Sequence, residues 1–303
     1  MHEDILLMNS WDISLITDEY QTHKIEKGIS NIKVAIVDSG IDMEHPGLNT
    51  VVNKSVSIVD SYPNVDFTGH GTMVAGQIAG NGMILGIAPN IKLYSYKIFD
   101  RENKSKLSYL IKALQLCMED NVHIINMSLG FYLEEEAKQL KELKEIFREL
   151  RSRDIICISS VGYGNKTGRH YPSSLNTVLS CQSLCKNNKK VNKGVIADYC
   201  LPSGDYLNNF ADEIVSIYNP INLIQTIHRE LNYPIGYSFM NGESLSSAKL
   251  TGLVAIAQSY YYRNNNKLLN CEDMIKLLNK NSSIIDGSYK PKLLSILENI
   301  KGL

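Results

Sequence analysis

From about residue 30 onward the chain alternates short apolar runs with longer stretches in which apolar residues recur at helical spacing. Residues 32–37, IKVAIV, form a β-branched run that stops at DSG, as a buried strand stops at a turn. IKLYSYKIF from Ile91 repeats the signal and leads into SKLSYLIKALQLCMED, where the helical period takes over. VHIINMSLG from Val122 again reads as a strand. Leu133 to Arg153 reads as a helix, with Leu140, Leu143, Ile146, Phe147 and Leu150 on one side and a solvated mixture of Glu, Lys and Arg elsewhere. DIICISSVG from Asp154 and NTVLSCQSL from Asn176 supply two more strands. Strands alternating with helices of this length predict an α/β fold, a mostly parallel central sheet with helices on both faces and right-handed crossovers. In such sheets functional groups collect beyond the carboxyl ends of the strands, where Asp38 stands. Residues 186–230 carry no readable pattern, and no repeat, low-complexity tract or linker interrupts the chain, so 1–303 reads as one domain.

Composition narrows the partners. The 303 residues, 44% hydrophobic and 21% charged, suffice for a sizeable core. A formal net charge of -1 leaves no basic excess to track phosphates, so nucleic acid is not an expected partner. The opening stretch MHEDILLMNSWDISL is acidic at its start and holds only the short apolar run Ile5 to Met8. Neither a signal peptide nor a spanning helix is expected there, which predicts a cytoplasmic protein without a membrane partner. Cys117, Cys157, Cys181, Cys185, Cys200 and Cys271 are scattered, as suits reduced, buried thiols. The spacing of Cys181, Cys185 and Cys200 fits no standard zinc pattern, and no metal is expected. His45, His123, His170 and His228 read as surface or core structural residues.

Three segments carry candidate chemistry: VAIVDSGIDMEHPGL at 34–48, GHGTMVAGQIAG at 69–80 and FMNGESLSSAKLTG at 239–252. Taken singly, Asp38 reads as a turn former, His70 as a loop residue and Ser244 as a helix cap. Together, in the order Asp, His, Ser, they resemble the subtilisin-like serine proteases, the subtilases of peptidase family S8. GIAP at 86–89, INMSLG at 125–130 and YPSSLNTVLS from Tyr171 extend the likeness from about Trp11 to about Tyr260.

The resemblance implies a three-layer subtilisin-like fold and a serine endopeptidase. Ser244 would be the nucleophile, His70 the general base and then acid, and Asp38 the carboxylate that orients the imidazole. Ser128, Leu129 and Gly130 match the segment that pairs with an extended peptide or protein substrate. Ser160, Val161 and Gly162 match the opposite wall of the pocket for the residue before the scissile bond. The family's oxyanion asparagine is replaced in register by Tyr163, with Asn165 two positions on. Glu243 stands where threonine is usual, and Ala248 where proline is usual. An ionised Glu243 would oppose the transition state unless it points away, is protonated or meets a cation. Gly47 and the short loop GNGMILGIAP imply that the family's tight calcium site is absent, so no cofactor is expected, and with only about thirty residues before the strand leading to Asp38 no long inhibitory propeptide is expected. The chain looks like the intracellular members that cut leader peptides from ribosomally made natural products. A slow or highly selective protease is therefore expected, and the alternative is an impaired relative that keeps the groove as a binding or regulatory module.

Overall fold

The structure, a computed structural model, describes residues 10–59, 62–133, 138–162, 169–204, 214–217 and 236–301. Two short helices, α1 (Trp11–Ile16) and α2 (Gln21–Ile25), precede strand β1 (Lys33–Asp38). Then come β2 (Val52–Ser57), α3 (His70–Ala79), β3 (Lys92–Lys97), α4 (Leu107–Glu119) and β4 (Ile124–Met127). They are followed by β5 (Phe131–Leu133), α5 (Lys138–Ser152), β6 (Ile156–Ser160), β7 (Arg169–Tyr171), β8 (Val178–Leu184) and β9 (Tyr199–Pro202). The remaining elements are β10 (Ile214–Ile217), β11 (Tyr237–Met240), α6 (Glu243–Asn265), α7 (Cys271–Lys280), β12 (Ser282–Ile285), β13 (Ser288–Pro291) and α8 (Leu293–Ile300).

Among the described residues, nine strands make one sheet in the order β12-β13-β9-β8-β6-β4-β1-β3-β2. Neighbours pair parallel except β12 with β13, a hairpin turned by Asp286 and Gly287 at positive φ. The alternation of β1 sorts its side chains between two cores. Val34 and Ile36 pack with Val74 and Ile78 of α3 and with α6, α7 and α8. Ala35 and Val37 pack with Leu110 and Leu114 of α4 and with Leu143, Phe147 and Leu150 of α5. Strands buried on both faces read as unbroken apolar runs, and the expected three-layer α/β architecture is the one found. Of the helix expected from Leu133, Leu133 itself lies in β5, paired antiparallel with Arg169, and the described helical residues are Lys138–Ser152.

Two features place the functional groups. The chain runs from β1 to β2 and β3 on one side and returns at β4 on the other, so β1 marks the switch point beyond whose carboxyl end a ligand cleft forms. Helix α6 is buried from Leu245 to Tyr260, with apolar residues all around it, as a helix threaded through a core must be. The N-terminal segment is tied to it by a wholly buried ion pair, Lys249 Nζ to Asp12 Oδ2 at 2.7 Å. Arg263 Nε donates to Glu26 Oε2 at 2.9 Å, and Ile29 N donates to Ser259 Oγ at 3.3 Å. Among the described residues no helix is long and apolar enough to cross a membrane.

Candidate active site

Asp38 ends β1 and is 1% exposed, while His70 opens α3 directly beside it. His70 Nδ1 lies 2.7 Å from Asp38 Oδ1, and Nε2 lies 3.0 Å from Ser244 Oγ. A carboxylate only accepts, so Nδ1 carries the donated proton and Nε2 is left to accept from the serine hydroxyl. Asp38 Oδ1 also accepts from Ser39 N at 2.7 Å. The close approach of α3 to β1 needs glycine at 71, where a Cβ would stand 2.1 Å from Gly40 O and 3.2 Å from Asp38 Cβ. Burial of the imidazole disfavours its charged form. The charge and hydrogen bond of Asp38, with the charge of Asp66, outweigh that and hold His70 above the ordinary histidine range.

Asp66 is a carboxylate that the sequence reading passed over. It is fully buried, and its Oδ1 accepts from Gly69 N at 2.9 Å and Ser39 Oγ at 2.8 Å. Its Oδ2 accepts from Thr72 N at 2.9 Å and Thr72 Oγ1 at 2.6 Å. Ser39 Oγ in turn accepts from Gly71 N at 2.9 Å. Asp66 thereby satisfies first-turn amides of α3 that the helix itself leaves without partners, and locks the turn that presents His70. The signal available in sequence was an Asp a few residues before a glycine-flanked helix start, DFTGHG, which is the composition of a capped N-terminus.

Ser244 lies in the first turn of α6, after Gly242 at φ 126°. Its Oγ is 3.4 Å from Ser128 O, and Ser128 Oγ is 2.9 Å from Ser244 O and 3.0 Å from Ser247 Oγ. Asn126 Nδ2 donates to Thr251 Oγ1 at 2.9 Å, so the end of β4 is bolted to the start of α6 by side chains from both. The Ser244 N–H belongs to the first-turn amides that point outward along the helix dipole, where negative charge is favoured. Glu243 is buried and its Oε2 accepts from Ser183 N on β8. Of the arrangements open to that side chain, the structure shows the carboxylate turned to the backbone of β8.

Ser128, Leu129 and Gly130 follow β4, and Ser160, Val161 and Gly162 close and follow the adjacent β6, so the two segments face each other across one strand spacing. Tyr163 and Asn165 lie outside the described residues. Gly47 is packed against the loop that follows α3, accepting from Asn81 N at 2.8 Å. All six cysteines are free and buried. Among the described residues no group of three or more His, Cys, Asp or Glu is placed to hold a metal ion.

A sequence model described as the subtilase family matches residues 30–289. The chain is 25% identical to the epidermin leader peptide-processing serine protease EpiP of Staphylococcus epidermidis, over 84% of this chain and 66% of that protein. It is 30% identical to subtilisin E of Bacillus subtilis, over 58% of this chain and 50% of that protein. Among solved structures, that of a lanthipeptide protease superposes with a TM-score of 0.86 at 24% identity, covering 99% of this chain and 98% of that one. The chain thus spans between half and two-thirds of the length of these curated relatives.

Proposed function

Because the chain belongs to the subtilase family, whose named relatives are serine proteases, we propose that it hydrolyses peptide bonds with Asp38, His70 and Ser244 as its triad. The observation that carries this reading is the continuous hydrogen-bonded line from Asp38 through His70 to Ser244, at 2.7 and 3.0 Å. His70 Nε2 takes the proton of Ser244 Oγ as that oxygen bonds to the scissile carbonyl carbon. Asp38 keeps the imidazole in the required tautomer and stabilises the cation formed. Collapse of the tetrahedral adduct expels the amine, which leaves with the proton from His70. A water then repeats the sequence, taking the place of the serine hydroxyl and releasing the acid.

The oxyanion would meet the Ser244 N–H, with Tyr163 or Asn165 as the second donor in this proposal. Loss of one such donor costs a factor of about a hundred to a thousand in turnover. The substrate chain would lie extended between Ser128–Gly130 and Ser160–Gly162, held through main-chain hydrogen bonds. By likeness to EpiP, whose name describes leader-peptide processing, the proposed substrate is a peptide precursor from which a leader is cut.

A fluorophosphonate probe tests the chemistry. It should attach to Ser244 in the wild type, located by mass spectrometry, and fail to attach in Ser244→Ala or His70→Ala. A wild type that stays unlabelled beside an active control protease would overturn the reading. The alternative, a peptide-binding module without turnover, draws on Tyr163 standing where the family has asparagine. It requires bound peptide with no cleavage in wild type and Ser244→Ala alike.

A further inference from the structure

β4 and β6 are neighbouring parallel strands, so Ser128–Gly130 and Ser160–Gly162 leave the sheet about 4.8 Å apart. Ser159 Oγ donates to Leu129 O at 3.3 Å and joins the two segments at their base. Anything that enters between them must use the space beyond that bond. β5 and β7 cross there, and their register sets Tyr132 opposite His170.

Both side chains reach the wall glycines. A Cβ on Gly130 would stand 1.9 Å from His170 Nε2. A Cβ on Gly162 would stand 2.4 Å from His170 Cδ2 and 2.4 Å from the Tyr132 hydroxyl. The imidazole therefore touches both walls at once, and the glycines are what make room for it. The ring is also held in place: it meets Tyr132 edge-on, centroids 5.1 Å apart, and its Nδ1 lies 2.8 Å from Ser173 Oγ. Asn192 Nδ2 donates to Gly162 O at 3.1 Å and braces the far wall.

We infer that His170, backed by Tyr132, determines which residue is accepted immediately before the scissile bond, restricting it to glycine or alanine. This rests on the protease reading above and adds the substrate class to it. A side chain longer than Cβ would have to displace an imidazole that is hydrogen-bonded on one edge and packed on the other. Each methylene that a pocket cannot accommodate lowers kcat/KM by about tenfold or more. His170 touches the substrate side chain and none of the reacting atoms, so it governs selectivity and not the bond-breaking step.

The test is a set of fluorogenic peptides that differ only at that residue, read as kcat/KM. Wild type should cleave after Ala at least about tenfold faster than after Leu, Phe or Arg. His170→Ala should raise cleavage after Leu and Phe by about tenfold or more relative to Ala, whereas Tyr132→Phe, which keeps both rings, should retain the wild-type ranking. If His170→Ala loses its cooperative melt, His170→Ser and His170→Asn take its place. Wild-type cleavage after Leu, Phe or Arg as fast as after Ala overturns the inference, as does an unchanged ranking in the folded His170 variants. Probe attachment to Ser244 together with cleavage after large residues would sink only this inference. No attachment and no cleavage would remove the protease reading and this one with it.

Discussion

Replacing Asp66 by alanine should loosen the presentation of His70 while leaving every triad residue in place. The carboxylate serves Gly69 N, Thr72 N, Thr72 Oγ1 and Ser39 Oγ at 2.6 to 2.9 Å, and it is fully buried. The two hydroxyls can rotate toward other acceptors. The two amides are fixed by the helix start, and at about 1–3 kcal/mol for each stranded buried donor their loss comes to about 2–6 kcal/mol. A domain of ordinary stability, about 5–15 kcal/mol, remains folded after such a loss but with a clearly lower urea midpoint. Charge acts in the same variant. Burial lowers the His70 pKa while Asp38 and Asp66 raise it, so removing Asp66 makes His70 titrate at lower pH. The base must be neutral, so the acid limb of kcat/KM moves to lower pH. A raised histidine pKa stabilises the fold below the unfolded pKa and loses that contribution as pH rises through the folded value, so the variant's deficit is larger at acid pH. Asp66→Asn keeps an acceptor oxygen without the charge, and should recover part of the stability but not the position of the limb. An Asp66→Ala protein within about 0.5 kcal/mol of wild type by urea titration, or an acid limb that stays put, would refute this account.

Asp38→Asn should cut kcat by about ten-thousandfold, because the amide favours the wrong imidazole tautomer, and a cut of less than about tenfold would argue against the proposed role. Asp12→Asn should cost about 3–5 kcal/mol by stranding Lys249, whose own burial already pulls its pKa down. The pair Asp12→Leu with Lys249→Met should be neutral or stabilising by about 1–4 kcal/mol, so a double variant as unstable as the single one would contradict this balance. Calcium chelation should leave the thermal midpoint where it was, and a reproducible fall in calorimetry would reinstate a calcium site.

The strands that were legible in sequence are those buried on both faces: β1, β3, β4, β6 and β8 are largely apolar because, apart from Lys33 and Lys92 at the starts of β1 and β3, their residues are buried. β2, VNKSVS, sits half-exposed at the sheet edge and carries no such run. β12 and β13 are four residues each and exist through their hairpin and a single register point with β9, Tyr289 to Tyr199, which local pattern does not reveal. Asp38, His70 and Ser244 were legible because each sits in a motif of its own, and the structure brings them within hydrogen-bond reach. Asp66 and His170 were not. Asp66 acquires its meaning from partners on both sides of the helix start, and His170 from pairing across β5 and β7, so a local reading passes over the first and leaves the second a surface or core structural residue. Glu243 looked like an obstacle for the same reason, since its partner Ser183 is sixty positions away.

Helix α6 has a consequence for how the protein should wear out. Its N-terminal turn bears Ser244, and Leu245–Tyr260 behind that turn are buried among α1, α8 and the sheet. A rod gripped from Leu245 to Tyr260 cannot open there piecemeal, so the amides of that stretch should exchange with deuterium only through whole-molecule opening. Heating should therefore extinguish peptide cleavage and the folded circular-dichroism signal in the same step, with no temperature at which an intact shell has already lost its nucleophile.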